Sequence, residues 1–282
     1  PMSLRDAPPF PRPGSSLDLA IQTAGARRPA LLAWTRWWHE VSRIPTSVSD
    51  AAIGEKKLAW WSQAVNDAFR QPPQHPLLVD LLGASSPAER EQAPPQALWQ
   101  SQIQGLGTLL QQTRWLDQAG LRHHMDQTTG AALEGAAWVL GARSPQALST
   151  ARALGVALRR ANLLSRVGQD AHAGWLHIPV DVLQQHDVRA HEWLRPAPDA
   201  PTDAMCGLMA LWQSEVVEAL TQALGAMRDL PAAERQALRP LRVLARLNLV
   251  LMADLEEHRY QVLRQRISVG PWRKWWTALT TR

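Results

Sequence analysis

The stretch Arg159–Pro179, RRANLLSRVGQDAHAGWLHIP, sets the fold of the chain around it. Leu163, Leu164 and Val167 recur at helical spacing, and nothing breaks the run before Gly168, so the first half is a helix. Asn162, Arg166 and Asp170 stand at i, i+4 and i+8. At about 100° per residue each step of four returns to nearly the same face, so the three side chains form one polar stripe. Gly174 and Pro179 then take the chain out of the helix.

Outward from this stretch the pattern stays helical. Ala and Leu are abundant, extended β-branched runs are missing, and Pro or Gly clusters fall between segments. Helices are expected at about 17–24, 28–44, 50–70, 75–82, 96–116, 118–141, 144–172, 203–228 and 232–264, with a short one near 271–279. Leu244, Leu247, Leu251, Leu255 and Val262 give the clearest stripe, with Pro240 suited to a first turn. Segments 84–95 and 195–202 read as Pro-rich loops, and residues 1–16, with five Pro, as a flexible leader. No composition shift or repeat marks a second domain, so 17–282 is expected to form one all-α unit.

Composition excludes several classes. The chain has 282 residues, enough for one large core, and its net charge of +5 is mildly basic. Runs of like charge and glycine-aromatic motifs are missing, so no nucleic acid is expected as a partner. One Cys, Cys206, rules out an internal disulfide and any Cys-based zinc site. No stretch approaches the roughly 18 apolar residues of a membrane span, and no signal-peptide pattern opens the chain. The expectation is a cytoplasmic protein, soluble or held at the inner face of the membrane. The 14 Trp against one Tyr have no evident physical cause.

The opening stretch resembles the squalene and phytoene synthases, which join two prenyl diphosphates head to head and carry a run like NILRDVGEDARRGRIYLP. Asn162, Leu164, Val167, Gly168, Asp170, Ala171, Gly174 and Pro179 match it without a gap. The likeness extends through RRPALLAWTRWW, KLAWW (Lys57 to Trp61), HPLL (His75 to Leu78), Gly130 and the tail from Arg239 to Trp276, about residues 25–280 in all. It implies a helical bundle of the isoprenoid synthase type around a central cavity.

The same resemblance implies that the metal motifs are degenerate. That family binds Mg²⁺ with two Asp-rich motifs to neutralise the diphosphate leaving group. In WWHEVSRIPT (Trp37 to Thr46) the three Asp positions become Ser42, Arg43 and Thr46, its Arg becomes His39, and Glu40 alone keeps a carboxylate. In the second motif Asp170 survives, Arg166 replaces its partner and Gln169 the neighbouring Glu. Trp175 and His177 stand where the family has Arg and Tyr, and Arg159 where it has Gln.

A cavity so lined repels divalent metal. No metal and no cofactor are expected, and Mg²⁺ only if the chain is an active enzyme. Two physical readings stand. In the favoured one Arg166 pairs with Asp170 and Arg43 with Glu40, which locks the interior. In the other, His39, Glu40, Arg43, Arg159, Asn162, Arg166, Asp170 and His177 line a site for an anionic head group, because guanidinium binds phosphate without metal.

The favoured function is a non-catalytic family member, a pseudoenzyme that binds an isoprenoid or anionic lipid or assists a protein partner. The alternative is an active prenyl transferase of squalene, phytoene or hopanoid synthesis. His123, His124 and Asp126 are a poor metal set, because adjacent helical residues diverge by about 100°. The tail PWRKWWTALTTR has a composition suited to a membrane interface, but in the family it is part of the fold, so packing is the favoured reading.

Overall fold

The computed structural model describes residues 10–83, 93–194, 201–263 and 265–281. Most of both Pro-rich loops, residues 1–9 of the leader, and two single positions lie outside the described residues. All regular structure among the described residues is helical. The α-helices are α1 (Ser16–Gln22), α2 (Arg28–Ser42), α3 (Ile44–Ser47), α4 (Ala51–Ala68), α5 (Pro76–Leu82), α6 (Gln96–Gln111), α7 (Gln118–Met125) and α8 (Ala131–Leu140). The second half adds α9 (Pro145–His172), α10 (Val180–Gln185), α11 (Ala190–Leu194), α12 (Asp203–Arg228), α13 (Ala232–Ala237), α14 (Arg239–Glu257) and α15 (Pro271–Thr280).

The longest helix, α9, is the central one: α8, α12 and α14 pack around it. Its buried positions are rich in Ala and Gly, which lets neighbouring backbones come close. Ser144 caps its start, accepting from Ala147 N, with Pro145 in the first turn. Glu234 accepts from the backbone N–H of Arg143 and of Ser144, both at 2.8 Å, tying α13 to that start. At the other end Gly174 turns at φ +84°, and Trp175 N donates to Asp170 O at 2.8 Å.

Two glycines of α9 mark contacts that no larger residue could make. A Cβ on Gly168 would lie 2.2 Å from Val262 O, and one on Gly155 would lie 2.3 Å from Thr129 O. Both obstacles are backbone and cannot rotate away. Gly168→Ala is therefore expected to cost about 2–3 kcal/mol, the overpacking penalty outweighing Ala's better helix propensity. A Cβ on Gly107, in α6, would meet nothing within 4 Å, so Gly107→Ala should gain about 0.5–1 kcal/mol. Urea unfolding of the two variants checks the opposite signs, and equal shifts would refute the contact at Val262.

Three expected helices are divided or shortened. The segment 118–141 is helical throughout but widens into a π turn at Asp126–Gly130. Thr128 and Thr129 donate their hydroxyls to His124 O and Met125 O, and Ser101 Oγ donates to Gln127 O at 3.1 Å. The turn places Asp126 and Glu134 so that Arg152 of α9 bonds both, at 2.8–2.9 Å. The expected helix 96–116 stops at Gln111: Gln112 is extended, and the carbonyls of Trp115 and Leu116 accept from Val180 N and Asp181 N at the start of α10. The expected helix 232–264 breaks at Leu238, two residues before Pro240, and ends again at Glu257. Arg259 and Tyr260 take φ of 48° and 54°, and this turn sets Val262 against Gly168. The short helices α10 and α11 were not expected from the pattern.

The core holds an aromatic block. Trp34, Trp37 and Trp99 are fully buried, with Trp61 beside them. The Trp37 and Trp99 ring centroids lie 4.5 Å apart, and Trp34 meets Trp99 edge-on at 4.8 Å. Phe10, in the Pro-rich leader, stacks on His39 with centroids 3.6 Å apart, and Ser15 caps α1. No helix among the described residues is long and apolar enough to cross a membrane.

Candidate functional site

Of the residues singled out from sequence, Glu40 and Arg43 line one pocket, and Asp170 and His177 line another. The first is a cleft of about 520 Å³ where α2, α3 and α4 meet. Glu40, Arg43 and Ser47 line one side, and Ile53, Lys56, Lys57 and Trp60 of α4 the other, at i, i+3, i+4 and i+7. Three cations therefore share the cleft with one carboxylate. No ion pair joins Arg43 to Glu40 among the described residues, so the expected lock on this side is not formed. Ser42 and Thr46 turn inward on their own backbone, Ser42 Oγ donating to His39 O and Thr46 Oγ1 to Arg43 O, both at 3.2 Å. The His39 imidazole is held below its ordinary pKa, chiefly by burial and then by Arg43, with Glu40 opposing.

The second pocket is lined on α9 by Leu163, Leu164, Val167 and Asp170, the last residue of the polar stripe. Arg166 Nε is 3.6 Å from Asp170 Oδ1, the expected i, i+4 pair. Arg159 donates to Asn162 Oδ1 at 2.9 Å. Burial pushes the Asp170 carboxyl above its ordinary range, against the opposing pull of Arg166 and Arg159. Burial also lowers the Arg159 guanidinium from its ordinary value, opposed by Asp170 and reinforced by Arg166.

Two imidazoles complete this group. Burial, with the Arg159 charge second, pushes His124 down to about 4 and His177 down to about 3. His124 donates Nδ1–H to Gly105 O at 3.0 Å, which leaves Nε2 as an acceptor. His177 stacks on Trp175 with an interplanar angle of 13°. The cavity bounded by Leu163, Val167, Asp170, Trp175, His177 and Trp212 holds about 10 Å³, the room of one water molecule. This pocket is thus nearly filled by the indoles and their aliphatic neighbours.

The sequence reading missed Lys56, Lys57 and Trp60 as partners of Arg43, and His124 as a neighbour of Arg159. The spacing along α4 could have flagged the first set. Nothing local could have flagged His124, because it meets Arg159 only through the packing of α7 on α9.

Carboxylates are scarce at both pockets among the described residues. Mg²⁺ takes several oxygen ligands at short range; here Glu40 shares its cleft with Arg43, Lys56 and Lys57, and Asp170 feels the charges of Arg166 and Arg159. No group of three or more His, Cys, Asp or Glu among the described residues is arranged to hold a metal ion.

The described residues form an all-helical bundle about a long central helix, a fold of the isoprenoid synthase type. The chain belongs to the squalene/phytoene synthase family, whose sequence profile matches residues 12–273. A dehydrosqualene synthase solved in complex with ligand superposes with a TM-score of 0.80 at 14% identity, covering 94% of this chain and 90% of its own. Squalene synthase HpnC from Alicyclobacillus acidocaldarius gives 0.74 at 14% identity over 86% of this chain and 88% of its own. YisP from Bacillus subtilis gives 0.59 at 14% identity over 94% and 98%. Comparison with curated protein sequences gives no significant match. At this identity the structural likeness speaks to fold alone.

Proposed function

We propose that this chain is a non-catalytic squalene/phytoene synthase-type protein that binds the charged end of an anionic isoprenoid or lipid without divalent metal. The observation that carries the reading is the charge at the two pockets. Arg43, Lys56 and Lys57 line the same cleft as Glu40, and the charges of Arg166 and Arg159 act on Asp170. Ionising an allylic diphosphate needs concentrated positive charge delivered by metal at the leaving group. Isolated carboxylates beside cations do not gather that metal, whereas three cations in an open cleft suit a phosphate directly.

The cleft beside α4 is the better binding place of the two. Its 520 Å³ accommodates a head group and the start of a chain, while the α9 cavity has space for one water. Trp60 and Ile53 supply apolar walls next to the two lysines. His39, Asn162 and His177 serve as structural neighbours of these sites, with Asp170 tied to Arg166.

The test has two parts. Purified protein incubated with farnesyl diphosphate and Mg²⁺ or Mn²⁺ is expected to release no diphosphate above the buffer rate. Turnover abolished by EDTA would instead make it an active prenyl transferase. Calorimetry with farnesyl diphosphate in EDTA is expected to show binding that falls by about 10- to 100-fold in Arg43→Ala/Lys57→Ala, the loss of one or two charge-assisted contacts. Arg166→Ala should leave that affinity unchanged. No heat from the wild type, or equal affinity in all three proteins, would remove the anion site.

A further inference from the structure

The helix α15 packs on the bundle, as expected of the tail, but only through one narrow face. Only Ala278 of this helix is buried, joining Ala20, Val243 and Leu247 in a small cluster with α1 and α14. Trp272 is 81% exposed, Trp276 66%, Leu279 51% and Trp275 48%. The four stand at i, i+3, i+4 and i+7, so they form one continuous stripe facing away from the bundle. Half of the eight large apolar side chains exposed among the described residues lie on these ten positions. Isolated exposed hydrophobics are ordinary, but a stripe of three indoles and a leucine is not.

The surroundings of the stripe are basic. Arg12 and Arg266, both exposed, lie near enough to Lys274 to hold its ammonium below the ordinary value, together with burial as the larger cause. Arg239 donates to Thr281 O at 2.8 Å, at the end of the helix. Behind it Arg235, Arg239 and Arg246 surround Arg242 on α13 and α14. The carboxylate of Asp254 is taken up by Arg273.

We propose that α15 is a membrane-docking helix: Trp272, Trp275, Trp276 and Leu279 enter the interfacial layer of an anionic bilayer while Arg12, Arg266 and Lys274 contact its lipid phosphates. Indole rings favour the level of the lipid head groups, where an apolar ring sits beside water, and an amphipathic helix with a basic flank lies in that plane. Each basic side chain near an anionic leaflet adds attraction that salt screens. A second copy of the chain is a poorer occupant. A two-fold contact through the stripe would bring the same cations face to face. The inference stands apart from the anion cleft, because none of the residues of α15 lines it.

Cosedimentation of the full chain with vesicles tests the proposal, using phosphatidylcholine alone or with a third of phosphatidylglycerol. The wild type is expected to sediment with the anionic vesicles, hardly with the neutral ones, and less as salt rises. Arg12→Glu/Arg266→Glu should weaken binding by at least about 20-fold, from about fivefold per basic contact. Trp272→Ser/Trp276→Ser should weaken it by about tenfold or more with circular dichroism unchanged, since both rings are at the surface. Should the Trp variant fold poorly, the charge variant and the salt series decide alone. No binding by the wild type, or wild-type binding in both variants, overturns the proposal. So does a wild-type dimer, measured by light scattering, that the Trp variant converts to monomer.

Discussion

Acidification from about pH 7.5 to pH 5 is expected to cost the folded protein about 4 kcal/mol through two histidines alone. His124 and His177 are held down to about 4 and about 3 by burial and by the Arg159 charge. Their ordinary value, 6.5, is that of the unfolded chain. The folded pKa lies below the unfolded one, so below 6.5 the unfolded chain takes up protons that the folded chain refuses. The stability these neutral imidazoles preserve is therefore complete above pH 6.5. It is lost as pH falls toward 4 for His124 and toward 3 for His177.

With both titrating, the slope reaches about 2.7 kcal/mol per pH unit, twice the 1.36 of a single group. Asp170 opposes it in the lower part of the range. Its raised pKa makes the folded protein the better proton acceptor there, and that group gains stability as pH falls. A domain of ordinary stability, about 5–15 kcal/mol, has little margin against such a loss. Urea unfolding followed by circular dichroism across this range measures it. His177→Phe, which keeps a ring against Trp175, should halve the slope to about 1.4 kcal/mol per unit. A flat profile between pH 7 and 5, or an unaltered slope in the variant, would show that the imidazoles are solvated.

Trp34→Ala is expected to destabilise by about 3–5 kcal/mol, the range for removing a buried large aromatic. The ring is 2% exposed, stacks 5.2 Å from Trp37 and meets Trp99 edge-on. Its ring abuts Gly135, where a Cβ would come 2.1 Å from it, so α2 and α8 approach across glycine and indole together. Little can collapse into the space left, because the neighbours are rigid rings and helix backbone. Trp34→Phe should cost less, about 1–2 kcal/mol, through part of the ring and the hydrogen bond from Nε1 to Ala132 O at 2.8 Å. Trp37→Phe should be milder still, because Trp37 Nε1 has no hydrogen-bond partner among the described residues. Chemical denaturation of the three variants gives the order, and a Trp37→Phe as damaging as Trp34→Phe would contradict it.

Much of the architecture was legible in the residues. Helical periodicity, Pro and Gly between segments and the Asn162–Arg166–Asp170 spacing depend on neighbours within a few positions. Those local constraints fix a helix, its polar face and its end at Gly174 whatever the rest of the chain does. That Ser42, Arg43, Thr46 and Arg166 carry no carboxylate was equally plain, because side-chain chemistry needs no coordinates.

The tertiary structure decided what depends on distant residues. Gly168 is explained by the Val262 backbone, which reaches it only because the chain turns at Arg259 and Tyr260 instead of continuing as a helix. Arg43 and Arg166 look alike in sequence, yet one joins Lys56 and Lys57 in an open cleft and the other pairs with Asp170 beside a nearly filled cavity. The tail shows the limit most clearly. A stripe at i, i+3, i+4 and i+7 is the same pattern whether it faces a core or solvent, and only the packing of Ala278 on α1 and α14 turns Trp272, Trp275 and Trp276 outward.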